Sequence, residues 1–395
     1  MKDTTIYPFD ELIDRRDTNS IKWDFPTRFF PGAPANALPF WVADMDFPVA
    51  KPILDAMRER LSDPTFGYTV HQTPRYVQAV MQYYRERFSW EFQPEEILFS
   101  PGIVKALALA IRAFTKPGDG VLIQRPVYRP FFTIVEQNGR EVVNNALVRT
   151  GATYTIDFDD FEAKVSLEST KLFLLCSPHN PTGKVFTTLE LKTMADLCQK
   201  YDVRIISDEI HADIIRTGNR HYPLTVAVPE AAPFSLTAVA PSKTFNIPGL
   251  QMSNVIAHDK AMAAGFQHEL DALFIHGGNI FGGVAALAAY ESGIPWLDQV
   301  NEYMDSNLTF LMAFLGQHLP AVIPFYPQGT YMIWLDFNPT GRSEEDLMAR
   351  FLRERIILSP GTTFGPEGRG FFRLNFACPR SLLEQGLERL SRALK

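Results

Sequence analysis

Apolar residues settle into a regular period at about residue 53. They recur at helical spacing through "ILDAMRERL" and "RYVQAVMQYYRERF", and then "EEILFSPG" condenses into a short strand-like run ending at a turn. Four more β-rich runs follow: "GDGVLIQRPVY", "TKLFLLCSPHNPTG", "DVRIISDEIH" and "FSLTAVAPSK". Each is closed by polar, glycine or proline residues and then gives way to a helical stretch such as "LELKTMADLCQKY". This alternation predicts an α/β fold, a mostly parallel sheet covered by helices on both faces, with ligands gathering at the carboxyl ends of the strands.

The pattern changes on either side of this region. Before it, "RFFPGAPANALPFWVADMDFPVA" is rich in proline and aromatics and reads as an irregular arm. After about residue 290 come a long helical pattern, "WLDQVNEYMDSNLTFLMAFLGQHL", a strand-like "GTYMIWLDF", the helix "SEEDLMARFLRER", and "RGFFRLNFACP". The expected division is a large domain over residues 48–290, with the arm 1–47 joining a smaller α+β domain over 291–395.

Composition narrows the function without naming it. Apolar residues make up 46% of the 395 and charged ones 21%, the balance of a globular enzyme rather than a disordered chain. The net charge of −7, with no basic stripe, disfavours a nucleic-acid surface. Cys176, Cys198 and Cys378 are scattered and suit a reducing cytoplasm. No signal-like core opens the chain, and the apolar stretch 277–290 is shorter than the ~18 residues of a membrane span, so it reads as a buried helix.

The chemistry lies just past the strands, at Gly102, Tyr128, Asn180, Asp208 with His211, and Ser242 with Lys243. Pro101-Gly102 sits between a strand and a helix, so the amides of Gly102, Ile103 and Val104 face an incoming anion at the positive helix end, although such junctions are common. Lys243 is not a Walker lysine, because the required glycines are missing from "FSLTAVAPSKT". It is either a surface cation after a strand or an amine kept partly neutral by burial for attack on a carbonyl. Asp208 is placed to hold a protonated pyridine nitrogen, and the alternative for "SDEIHADI", a metal cluster, finds no H-E-x-x-H companion. Asn180 could donate to a ring oxygen or simply form a turn, Tyr128 could stack on a flat cofactor or pack, and Arg373 could grip a carboxylate or sit in a surface ion pair.

Taken in order, "SPHNPTG", "SDEIHADI", "APSKTFNIPGL" and "FRLNFACPR" resemble fold-type I pyridoxal 5′-phosphate enzymes of the class I/II aminotransferase superfamily, over essentially the whole chain. "RRDTNSIKWD", "PFWVADMDFPVA", "FGYT" and the histidine of "DEIH" are similar to the MalY/PatB branch, carbon–sulfur β-lyases acting on cystathionine or cysteine. The resemblance implies that Lys243 is the Schiff-base lysine and Asp208 the partner of the pyridinium nitrogen. It puts Asn180 and His211 at the ring hydroxyl, Tyr128 on the ring, Ser242 with the amides of Ile103 and Val104 at the phosphate, and Arg373 on the substrate carboxylate. Tyr68 would reach the phosphate of a neighbouring subunit in a homodimer with shared sites, and Trp41 and Asp44 would lie near the substrate entrance. No metal is implied.

Two departures mark this chain against many aminotransferases. Gln251 stands where an arginine eight residues after the lysine often binds phosphate, and His211 where a tyrosine is common. Both lean toward the lyase branch. The implied activity is cleavage of L-cystathionine or related thioethers to thiol, pyruvate and ammonia. Transamination of an L-amino acid would use the same residues, and a regulatory protein retaining the fold would be expected to lose Lys243, Asp208 or Arg373, all of which are present.

Overall fold

The computed structural model describes residues 6–395. Its central sheet has seven strands in the spatial order Ile97–Ser100, Ser253–Ile256, Ser235–Val239, Arg204–Asp208, Thr170–Cys176, Gly120–Ile123 and Glu141–Asn144. The last five run parallel. Ser253–Ile256, too short and mixed to stand out in the sequence, is antiparallel to both its neighbours. Two reversals restore direction, so Ile97–Ser100 points the same way as the parallel set and its end opens on the same edge.

Strand side chains alternate between faces, and each face has its own core. Leu172, Leu174 and Cys176 pack with Leu107, Ala110 and Phe131, whereas Phe173 and Leu175 pack with Leu191, Met194 and Cys198. Helices Ile103–Phe114 and Thr188–Lys200 therefore cover opposite sides. The second helix begins at a reciprocal cap, in which the Thr187 hydroxyl accepts from the Glu190 amide and the Glu190 carboxylate accepts from the Thr187 amide. The apolar stretch near residue 280 forms helix Ile280–Ser292, whose Gly282, Gly283, Ala285, Ala286 and Ala289 are buried. No helix among the described residues is long and apolar enough to cross a membrane.

Beyond that helix, Ile294–His318 leads to a four-stranded antiparallel sheet of Ile323–Phe325, Met332–Asp336, Phe371–Asn375 and Ser359–Pro360, with helices Glu344–Arg353 and Arg380–Leu394. The arm runs onto this part of the chain: Leu38–Pro39 pairs in parallel with Ile356–Ile357, and the Asn375 amide donates to the Phe40 carbonyl at 2.9 Å. The first five residues of the expected arm lie outside the described residues.

A buried ion cluster fixes the arm. Lys22 Nζ lies 2.6 Å from Asp46 and 3.3 Å from Asp44, and Arg15 reaches the same two carboxylates at 2.7 and 2.8 Å. Asn246 clamps the segment from the other side, donating to the Met45 and Phe47 carbonyls and accepting from the Met45 amide.

Candidate active site

Because the strands share a direction, their ends converge. Gly102, Ile103, Val104, Tyr128, Asn180, Asp208, His211, Ser242 and Lys243 all line one cavity of about 290 Å³. Trp41 and Arg373 line an adjoining cavity of about 870 Å³ that shares Tyr128 and Lys243 and is otherwise largely apolar, with Phe29, Phe30, Met348, Leu352 and Phe364 in its wall. Tyr68 is fully exposed and lies outside its own chain's cavity.

Strand Ser235–Val239 ends in the short helix Pro241–Thr244, which carries Lys243 into the cavity wall. Its Nζ donates to the Ala43 carbonyl at 2.6 Å, and that carbonyl also accepts from the Tyr331 hydroxyl at 2.9 Å. Loss of water around the amine pulls its pKa from 10.5 to about 8; Asp44 opposes this, Arg373 adds to it, and Asp208 opposes it. At pH 7 about a tenth of such amines are neutral, against roughly one in several thousand for an exposed lysine.

Asp208 closes its strand opposite Cys176, and its Oδ1 accepts from the Ile210 amide at 3.1 Å. Burial holds its carboxyl up at about 7, eased by that amide, reinforced by Glu209 and countered by Lys243. The crowd of acids seen in the sequence is pulled apart by the fold. Glu209 turns away to His221, Ser207 and the Leu224 amide, and Asp213 accepts from Thr244 and Arg87. His211 is buried with its Nδ1 unpartnered, and burial, then Lys243 and Arg373, keep its imidazole neutral.

Arg373 is buried without a carboxylate partner among the described residues. It donates to Asn180 Oδ1 at 2.9 Å and to the Trp41 carbonyl at 2.7 Å, while its Nε is unpartnered. Burial lowers its pKa to about 10. A desolvated guanidinium held by neutral acceptors is suited to receive a carboxylate. Trp41 packs its ring on Phe29 and Phe30 at 4.8 and 5.1 Å, so its carbonyl rather than its indole faces the arginine.

Two expected contacts need correction. The Gly102 amide is not free for an anion, because it donates to the Ser100 carbonyl at 2.8 Å and to Ser253 Oγ at 3.2 Å. Gly102 serves through its backbone instead: φ is +103°, a conformation other residues rarely adopt, and it starts the helix so that the Ile103 and Val104 amides face the cavity. The Asp44 carboxylate is committed to Arg15 and Lys22; it borders an adjoining cavity that shares Ala43, Lys243 and Gln251 with the site, and its influence on Lys243 is electrostatic. Tyr331, Ala43 and Lys105 escape sequence reasoning. A carbonyl carries no side-chain signal, and Tyr331 lies within an otherwise apolar strand pattern.

The comparisons bear on the whole chain. The model of the aminotransferase class I and II family matches residues 37–390. The chain is 43% identical to the cystathionine beta-lyase PatB of Bacillus subtilis, over 98% of this chain and 99% of PatB. It is 34% identical to the protein MalY of Escherichia coli, over 99% of each. Cystalysin of Treponema denticola, whose crystal structure contains pyridoxal 5′-phosphate, matches with a TM-score of 0.95 and 34% identity over 99% of each chain. The PLP-bound C-S lyase of Staphylococcus hominis matches at 0.92 and 33%, again over 99% of each. With its fold, its strand-end site and its full-length relatives in agreement, this chain belongs to the class I and II aminotransferase family.

Proposed function

We propose that this protein is a pyridoxal 5′-phosphate-dependent carbon–sulfur β-lyase that cleaves L-cystathionine or related cysteine thioethers to thiol, pyruvate and ammonia. The observation that carries the reading is Lys243, an amine drawn down to about 8 in a cavity that also holds a carboxyl poised at about 7, next to a buried arginine with no acid partner among the described residues. Similarity to PatB and MalY over nearly the whole chain selects the lyase branch.

The residues present fit the cofactor. Asp208, raised because its charge is buried, would find a direct cationic partner in a protonated ring nitrogen. His211 Nδ1, unpartnered, and Asn180 would meet the ring hydroxyl. Tyr128 offers a face to the ring, and Ser242 with the Ile103 and Val104 amides offers donors to the phosphate. When bound, pyridoxal phosphate supplies an electron sink for charge developing at the substrate α-carbon.

The chain's own work is binding and proton transfer. Arg373 holds the α-carboxylate and so orients the α-carbon. Lys243 takes the α-proton as general base, a role suited to an amine with a pKa near the working pH. The apolar wall of the adjoining cavity receives the sulfur substituent and keeps water from it.

Two subunits complete the site in this reading. Tyr68 is exposed in a segment with Phe66 and Val70, and these side chains would be covered in a homodimer where Tyr68 reaches the neighbouring cavity. The enzyme works in the cytoplasm, where its three free, buried cysteines stay reduced. The test is to supply L-cystathionine without a keto acid and measure thiol and pyruvate. Turnover that requires an amino acceptor and releases no thiol overturns the lyase in favour of an aminotransferase.

A further inference from the structure

The helix that opens at Gly102 has a basic residue where physics favours an acid. Lys105 occupies the third position of Ile103–Phe114, and no Asp or Glu lies in that first turn. A cation there opposes the positive end of the helix dipole, whereas an anion would be favoured. Nor does an acid offset it: no carboxylate among the described residues pairs with Lys105, whose Nζ donates instead to Gln251 Oε1 at 2.5 Å, a neutral acceptor.

Gln251 is held in place by its backbone. It caps the turn Pro248–Leu250 with φ +51°, the left-handed region that a non-glycine residue rarely enters, and so directs its side chain toward the helix start. Lys105, Gln251, Ile103, Val104 and Ser242 line the same cavity wall. Ser242 is only 7% exposed, and its hydroxyl has no hydrogen-bond partner among the described residues. The wall thus combines two amides without helix acceptors, the unpartnered hydroxyl of a largely buried serine and an unmatched ammonium. Each of these groups donates, and none brings a negative charge.

Resting on the cofactor reading above, the geometry points to Lys105, steered by Gln251, as the cation that binds the phosphate group of the cofactor. Gln251 itself carries no charge, so the positive charge at this end of the cavity comes from the helix, outside the lysine-bearing segment "APSKTFNIPGL". Lys105 is exposed where the cavity opens, so its grip weakens with salt.

The test titrates the full-length apoprotein with pyridoxal phosphate and, separately, with pyridoxal, which has the same ring and aldehyde but no phosphate. Affinity is followed by absorbance at low and high salt, with thermal unfolding of each apoprotein measured alongside. Lys105→Ala is expected to bind pyridoxal phosphate about tenfold more weakly, the worth of one charge-assisted hydrogen bond, and to show a flatter salt dependence. Its pyridoxal affinity should match the wild type, its apoprotein should unfold no earlier than the wild type because a cation opposing the helix dipole is gone, and Lys105→Arg should retain the affinity. Unchanged pyridoxal phosphate binding in Lys105→Ala, equal loss for both ligands, or a loss in Lys105→Arg as large as in Lys105→Ala overturns the assignment. A wild-type protein that binds neither ligand overturns the cofactor reading and takes the assignment with it.

Discussion

Replacing Asp208 by asparagine should make the apoprotein more stable while disabling the site. In the unfolded chain the carboxyl titrates near 3.8, and in the fold burial holds it at about 7. Below pH 3.8 both states keep the proton and Asp208 has no effect on stability. Between 3.8 and 7 the unfolded chain releases the proton while the fold retains it, so stability falls as pH rises. Above 7 both states are ionised and the whole penalty is present. At ~1.4 kcal/mol per pH unit the penalty reaches about 4 kcal/mol by pH 8. Asparagine removes the charge and keeps the oxygen that accepts from the Ile210 amide. Denaturant unfolding of both apoproteins at pH 5 and pH 8 should show Asp208→Asn ahead at pH 8, by a margin about 3 kcal/mol wider than at pH 5. Added pyridoxal phosphate should reverse the order at pH 8, because only the carboxylate offers a charge to the ring nitrogen. A stability difference that is the same at both pH values, or a variant less stable at pH 8, would refute the assignment of Asp208 as a destabilised, ligand-directed carboxylate.

Other perturbations separate the roles. Lys243→Ala should lower kcat by about 10³-fold or more without unfolding the protein, read by steady-state thiol release. Arg373→Leu removes a buried guanidinium with no acid partner among the described residues, so unfolding should shift little, while KM for the amino-acid substrate rises about 100-fold and affinity for pyridoxal phosphate holds. Lys22→Met takes away the ammonium 2.6 Å from Asp46 but leaves Arg15 on the same carboxylate, and denaturant unfolding should register a loss of about 1–3 kcal/mol. In Gly102→Ala the added methyl meets nothing within 4 Å, yet φ of +103° strains the backbone, so a loss of about 1–3 kcal/mol should appear in unfolding curves.

What the sequence determined by itself was local. Hydrophobic period is a property of neighbouring residues, so the strand-helix alternation, the buried helix near 280 and the α+β character after 290 could be read directly. The groups after the strands, Asn180, Asp208, His211, Ser242 and Lys243, were legible because a parallel sheet places strand ends together whatever its strand order. Tertiary structure alone decided the rest. The reversed strand Ser253–Ile256 has no distinctive period, and its direction depends on pairing with segments far away in the chain. Asp44 was expected near the substrate entrance, but only the fold shows its carboxylate held by Arg15 and Lys22. The Gly102 amide looked available until Ser253, 151 residues away, claimed it. Whether a polar group is free for chemistry or already bonded depends on partners that chain separation hides. That is why the members of this site could be named from the sequence, while the Ala43 carbonyl on Lys243 and the pairing of Lys105 with Gln251 could be found only in three dimensions.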